Sequence, residues 1–262
     1  MNGELALFAR GIRMETPILF HDPTSEPSRA VHWFSVEAGI ELAVEYVWLT
    51  RGEHKSPEFL DVNPAHQVPA LRHGDLCLSE AAAILTYLCE LAGVEDRWIG
   101  DTSQDRAQTH RFLSWHHTNT RLRLTVDYVL PVLLMPAYKN APPPDASKVH
   151  ELRARGRESL DLLEVLLESR GGYLGGSRPS IADLFIASDL FALDIDPDRS
   201  ELIDGLPAVC GWLDQLRRQD GYRISHAAWN AIVPRIQTLI SSADPEPRDA
   251  VWVADACRQH LP

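Results

Sequence analysis

The chain has 262 residues, 45% of them hydrophobic, enough to bury one large core or two smaller ones, and the pattern of elements below favours two. A formal net charge of −12 and a pI near 5.3 exclude nucleic acid or an anionic membrane as the main partner, because both would repel the molecule, so an anionic ligand needs a local basic pocket. Cys77, Cys89, Cys210 and Cys257 have neither CxxC nor metal-ligand spacing, which predicts free thiols in a reducing cytoplasm and no metal, and no apolar run is long enough for a membrane helix or a signal core.

Met1 to Glu15 has no period and reads as a flexible leader. Pro17-Ile18-Leu19-Phe20 is a continuous apolar run, the mark of a buried central strand, and His21-Asp22-Pro23-Thr24-Ser25 ends it in a turn. Pro27 suits a first helical turn, where its missing N–H costs nothing; Ala30, Val31, Phe34 and Ala38 then line one helix face until Gly39 stops it. Leu42 to Trp48 reads as a second strand, parallel to the first through a right-handed crossover. Thr50 to Asp61, punctuated by Gly52 and Pro57, is loop with room for a short helix. Val68, Ala70 and Leu71 form the next strand, His73-Gly74-Asp75 a tight turn, and Leu76 to Leu78 the partner strand of a β-hairpin. A helix follows on Ala81, Ile84, Leu85, Leu88 and Leu91, with Ser79 where an N-cap belongs.

Pro69 has no N–H for a strand ladder and is tolerated only at an edge, a bulge or a strand start. On spacing alone the economical reading is a plain edge-strand proline, since only about one X-Pro bond in twenty is cis in folded proteins. A cis Val68–Pro69 bond would instead turn the N–H and C=O of Val68 outward, where an extended peptide pairs with them.

Gly93 to Ser103 is acidic and without apolar period, and reads as a linker; beyond it no strand signal is convincing. Arg106 to Tyr128 is helical, with Phe112, Leu113, Trp115 and Leu122 as apolar contacts, and Pro131 and Pro136 are expected to kink or end its extension. Ala141-Pro-Pro-Pro-Asp145 is a loop. Leu152, Leu160, Leu163 and Leu167 form the stripe of the next helix, closed by Gly171-Gly172. Ser180-Ile-Ala-Asp183 opens another with capping-box spacing, and puts Ile181, Leu184, Phe185, Ser188 and Phe191 on one face; Ser180 and Asp183 are structural residues. Leu206 to Leu216 and Tyr222 to Leu239 supply two more helices. Ser241 to Pro247 reads as a polar hinge, followed by a weakly amphipathic tail on Val251, Val253, Ala254 and Cys257.

A β-α-β-α-β-β-α unit with a proline opening its third strand, joined to a set of helices, resembles the glutathione transferase superfamily. The stretches Leu19 to Val31, Arg51 to Phe59 and Asn63 to Leu71, with Trp115-His116-His117, make it similar to the theta class over roughly Thr16 to Ser241. The fold implied is an α/β thioredoxin-like N-terminal domain (βαβαββα) plus an all-α C-terminal helical domain. The expected organisation is a leader at 1–15, a glutathione-binding domain at 16–92, a linker at 93–103, an all-helical substrate domain at 104–241 and a C-terminal extension at 242–262.

The same resemblance implies glutathione as co-substrate and residue roles that the chemistry supports. A thiol near its reference pKa of about 8.5 is only a few per cent thiolate at neutral pH, so an enzyme that uses it stabilises the anion. Ser25 matches the theta catalytic serine and stands at a helix N-terminus, where unpaired N–H groups favour negative charge; capping the helix is its alternative task, and Thr24 and Ser28 are neighbouring hydroxyls. Val68 would pair with the extended tripeptide through its backbone. His54 and Lys55 match positions that hold the glycine carboxylate, Gln67 adds an amide donor, and Glu80 matches the acid facing the γ-glutamyl amine; without the resemblance, His54, Lys55 and Gln67 read as a solvated loop. The family usually has a serine where this chain has Ala81, and losing a hydrogen bond to a charged group costs about 1.5–3 kcal/mol, which weakens glutathione binding or signals another thiol ligand. Arg121, six positions after Trp115, matches an arginine that reaches the reacting sulfur and leaving group, with Arg123 its competitor. The adjacent rings of His116 and His117 diverge on a helix and do not make a metal site.

The activity implied is attack of glutathione thiolate on a small electrophile, displacing halide or sulfate, in detoxification; C–S bond formation or cleavage in a biosynthetic or degradative pathway is the variant within the same class. The competing class is a non-catalytic thiol-peptide or hydrophobic-ligand binding protein. A homodimer is expected, pairing the hairpin domain with the first two helices of the second domain across a two-fold axis. The tail is expected to dock as a helix over the substrate cleft, with Trp252 shielding the thiolate from water; a frayed terminus is the alternative.

Overall fold

The computed structural model describes residues 15–139, 141–242 and 249–262. Residues 1–14 of the expected leader at 1–15, and the hinge residues Asp244 to Pro247, lie outside them.

Period-two alternation builds the first domain. Strands β1 (Ile18–His21), β2 (Ala43–Tyr46), β3 (Ala70–His73) and β4 (Leu76–Ser79) form one sheet in the order β2-β1-β3-β4. β1 runs parallel to β2 and antiparallel to β3, with Leu19 opposite Val44 and Leu71, and β3 pairs antiparallel with β4. Leu19 and Leu71 belong to the large core shared with helices α1 (Glu26–Ala38) and α3 (Ala81–Ala92). Their neighbours Phe20 and Ala70 belong to a smaller core with Val47, Val62 and Val68, closed by Phe59 of the short helix α2 (Pro57–Leu60), whose ring lies edge-on to Phe20 at 5.9 Å. Gly39, in the left-handed conformation, ends α1 where expected.

The Val68–Pro69 bond is cis, and β3 lies between β1 and β4 rather than at an edge, so the edge-strand reading of Pro69 is overturned. Ser79 is likewise corrected: it is the last residue of β4, and the cap position of α3 is held by Glu80, a non-glycine residue at φ 69°. The stretch 93–103 contains helix α4 (Glu95–Trp98), and Trp98 and Ile99 are buried in the large core.

The second domain begins with α5 (Ser103–Thr118), capped by a Thr102/Asp105 box. A π-helical segment, Arg121–Leu134, and α6 (Met135–Lys139) continue it. Proline interrupts a four-residue ladder, and here the chain keeps a helical path on five-residue spacing, as in the Met135 N–H donating to the Leu130 carbonyl; neither Pro131 nor Pro136 ends it. Leu122, expected as an apolar contact, is 39% exposed. Helix α7 (Ala146–Arg170) buries Leu152, Leu160, Leu163 and Leu167, as its stripe predicts.

Helix α8 (Ile181–Leu190) is the centre of the domain. All ten of its residues are buried, so the expected single apolar face is corrected to burial all round, because α1 packs on it as well as α3, α5 and the π segment. Ser180 and Asp183 make the capping box, and the Asp183 carboxylate also accepts from the N–H of Leu174 (2.7 Å) and the indole of Trp212 (2.9 Å). Five donors on one buried carboxylate tie the start of α8 to the preceding turn and to helix α10 (Pro207–Arg217), which follows the short α9 (Ser200–Ile203). Removing the acid would leave buried donors unpaired, at about 1–3 kcal/mol each.

The expected helix at 222–239 is two, α11 (Asp220–Ser225) and α12 (Ala227–Ser241), broken at His226. Tyr222 and His226, one helical turn apart, stack at 4.4 Å, and both rings meet Trp33 of α1, at 5.6 and 5.5 Å. Trp33 is fully buried and donates to Gln219 (3.0 Å). A Cβ at Gly221 would stand 2.5 Å from the Trp33 ring, so only glycine allows this approach between the two domains.

The tail ends in α13 (Val251–Arg258), with Val253, Ala254 and Cys257 fully buried against the large core, so residues 249–262 are docked rather than frayed. The Cys257 thiol approaches the Ala228 carbonyl of α12 at 3.9 Å. Trp252 lies edge-on to Tyr138 of α6 at 6.2 Å and under the guanidinium of Arg235 at 4.1 Å. On the other side Asp255 pairs with Arg51, and Arg258 covers the ring of Trp48 at 5.2 Å, both just after β2.

Candidate active site

Ser25 occupies the cap position of α1 in extended conformation, 8% exposed, and its hydroxyl makes no cap hydrogen bond. The neighbours differ. Thr24 donates its hydroxyl to Asp22 at 2.8 Å, and Ser28 is fully buried. Asp22 also accepts from the N–H of Thr24 (2.7 Å) and of Leu49 (2.7 Å), so one buried carboxylate fixes the turn before Ser25 to the turn after β2. Burial pushes the Asp22 carboxyl up, against the pull of those N–H donors. The tail reaches the same place: burial, then the charge of Asp22, pushes the Cys257 thiol up to about 12.

His54 and Lys55 lie on the 3₁₀ turn Glu53–Lys55, Lys55 exposed and His54 half-buried. Burial first, then Lys55 and His66, lower the pKa of the His54 imidazole, and its Nδ1 has no partner among the described residues. Gln67 is exposed, and its carbonyl accepts from the Asn63 amide at 2.7 Å. Val68 is buried, and none of the described residues pairs with its N–H or C=O. Glu80 is exposed and Ala81, 4% exposed, is the first residue of α3. No hydroxyl therefore stands at the start of α3, since Ser79 belongs to β4.

Arg121 opens the π segment, its side chain 27% exposed. Its Nη1 donates to Asp189 of α8 at 2.9 Å, and Glu26, the first residue of α1, and Glu80, which precedes α3, are the other carboxylates that favour its charge. Arg123 instead pairs with Glu158 of α7 at 3.1 Å and stays outside this group. Glu26, Asp189 and the fully buried Arg29 are absent from the sequence-level site. Arg29 donates to the Pro23 carbonyl at 2.9 Å and lies over Trp229 at 4.7 Å. Burial, then Asp189, pushes the Glu26 carboxyl up. The only sequence signal for them is charge inside apolar helix patterns. The rings of His116 and His117 are 5.7 Å apart, and no group of three or more His, Cys, Asp or Glu among the described residues is placed to hold a metal.

Residues 15–90 match the glutathione S-transferase N-terminal domain and residues 146–215 its C-terminal domain. The chain is 36% identical to glutathione S-transferase T1 of Arabidopsis thaliana over 207 residues, 76% of this chain and 82% of the relative. It belongs to the glutathione S-transferase family. Human glutathione S-transferase theta-2 is 30% identical over 243 residues, 90% of this chain and 95% of the relative, which places the chain with the theta class. The structure of human glutathione transferase T1-1 in its apo form superposes with a TM-score of 0.75 at 25% identity, over 94% of this chain and 100% of that one. A human theta-class structure in complex with the glutathione conjugate of 1-menaphthyl sulfate gives 0.73 at 27% identity, over 94% and 100%. The thioredoxin-like domain followed by a helical domain is thus the glutathione transferase fold, as the sequence leads one to expect.

Proposed function

We propose that this chain is a glutathione transferase in which glutathione lies along the cis-proline hairpin and its thiolate attacks a small electrophile. The observation that carries the reading is the hydroxyl of Ser25, which stands at the N-terminus of α1 and is not spent on capping it. There it donates to the sulfur anion, together with the N–H groups of the first turn. The thiol proton is lost to water, the new C–S bond forms and the bond from carbon to the leaving group breaks with its electron pair going to the leaving group, with Arg121 supplying positive charge to the sulfur and the departing anion. Val68 pairs with the cysteinyl part of the peptide, His54, Lys55 and Gln67 hold the glycine carboxylate, and Glu80 holds the γ-glutamyl amine. The tail acts as a lid that excludes water from the thiolate. A cytoplasmic homodimer is part of the proposal, with a groove of about 440 Å³ between α3 and α5, lined by Leu78, Ala82, Tyr87, Leu113 and His117, taken by a second copy.

A second reading rests on Ala81: with no hydroxyl at the start of α3, the γ-glutamyl carboxylate loses a donor, and the chain binds a modified thiol peptide or a hydrophobic ligand without turnover. A glutathione-affinity column and a turnover assay with small alkyl and aryl halides separate the two. Retention with conjugate formation supports the transferase; retention without conjugate, or no retention, supports the second reading.

A further inference from the structure

We infer that Asp189 is a positioning residue for catalysis: it fixes the guanidinium of Arg121 at one end so that the other end is presented, already oriented, to the reacting sulfur. The inference rests on the transferase reading and on the role proposed there for Arg121.

Asp189 lies near the C-terminal end of α8 with its side chain fully buried. One oxygen accepts from Arg121 at 2.9 Å, and the other lies 3.0 Å from Nε2 of His116. His116 is fixed in turn: Nδ1 is 2.7 Å from the Thr120 hydroxyl, and the ring meets Phe185 of α8 edge-on at 4.4 Å. Burial alone would push the Asp189 carboxyl up, but Arg121 and His116 outweigh it and hold the group ionised, below its ordinary range. The anchor is therefore a carboxylate held toward its charged form on a helix that is buried along its whole length.

Arg121 differs from its anchor. Its side chain keeps 27% of its surface open, and no other described residue accepts from its Nη2 or Nε. A free arginine side chain has many rotamers, whose entropy is lost when it is held in one place. Tying one Nη to a rigid carboxylate removes most of that cost before substrate arrives, the usual benefit of preorganised charge. His116 meets Asp189 only as a close charge contact, since Nε2 and the facing oxygen make no hydrogen bond among the described residues, so it is Arg121 that supplies the hydrogen bond to the carboxylate. The added cation, held at one nitrogen and open at the others, with the charges of Glu26 and Glu80 also favouring it, is what a positioning role requires.

The test uses Asp189→Asn, Arg121→Ala and the double variant, with turnover measured beside the labelling rate of Arg121 by phenylglyoxal, followed by peptide mass spectrometry with and without glutathione. Asp189→Asn is expected to lower kcat roughly tenfold with little change in the KM for glutathione. It should speed labelling of Arg121, weaken protection by glutathione, and have no further effect in the Arg121→Ala background. An equal loss of kcat with and without Arg121, or unchanged labelling, overturns the inference and leaves Asp189 a structural carboxylate. If Asp189→Asn cannot be purified folded, Asp189→Glu displaces the guanidinium by one methylene and is read the same way. Full activity of Arg121→Ala would sink the role of Arg121 itself. The label separates that failure from this one, because it reports where the guanidinium is rather than what it does.

Discussion

At the scale of single residues, the site divides into what a spacing can reveal and what only packing can. Ser25 was legible because a hydroxyl between an apolar strand and a helix has two uses, and the structure leaves it free of the capping one. Ser79 was misplaced by one residue: Glu80 takes the cap position with a positive φ that its residue type does not announce. Asp189 had no motif, since its partners come from helices more than sixty residues away in sequence. The clearest residue-scale prediction concerns Ala81. If the ligand is glutathione, Ala81→Ser restores a donor at the first residue of α3 and should tighten binding by up to about tenfold. Calorimetry showing no gain, or a loss, would mean that this position faces something other than a γ-glutamyl carboxylate.

At the scale of elements, short-period patterns are legible in the sequence and long-range ones less so. The hairpin turn, the Gly39 stop and the stripe of α7 are local and came out as expected. The passage of a helix through Pro131 and Pro136, and the burial of α8 on every side, depend on neighbours that the pattern of one element does not contain. A lid resting lightly on the cleft could be removed without thermal cost, but Val253, Ala254 and Cys257 are fully buried, and burying such side chains is worth about 1.5–3 kcal/mol for the larger ones. Deleting residues 249–262 is therefore expected to lower the melting temperature by several degrees and also to alter substrate affinity and speed product release. Altered stability with identical kinetics would make the tail a structural brace and not a lid.

At the scale of the whole molecule, two properties follow from how the domains close on each other. Leu122, Val126 and Leu130 of the π segment stay 39–44% exposed, as does Leu76 of β4 at 39%, and a second copy covering such surface is the expected homodimer. Sedimentation should give twice the chain mass at micromolar concentration, and a monomer would count against it. The second property is acid sensitivity. Burial, followed by neighbouring positive groups that include Arg29, holds the imidazoles of His21 and His226 well below their ordinary range. Unfolded, they take a proton near pH 6.5, while the folded chain resists it. Their contribution is thus fully present above about pH 6.5 and is lost as pH falls below it, by up to about 1.4 kcal/mol per pH unit for each group. Asp22, Glu26 and Asp183, raised chiefly by burial, act in the opposite sense and offset the loss only where they begin to bind protons. Urea midpoints should fall steadily below about pH 6.5. In His226→Gln the fall should be shallower, and an unchanged slope would contradict the assignment.

The most direct measurement is the thiolate absorbance of glutathione bound to the wild-type chain and to Ser25→Ala, followed across pH. The account predicts a thiolate band at neutral pH in the wild type, titrating one to two units below the free thiol's value of about 8.5 or more, as roughly 1.5–3 kcal/mol of hydrogen bonding to an anion requires. In Ser25→Ala the band should be lost at neutral pH and turnover reduced at least about tenfold, with the fold intact. A band and a rate that are the same in both proteins would contradict the central claim that the Ser25 hydroxyl holds the reacting sulfur.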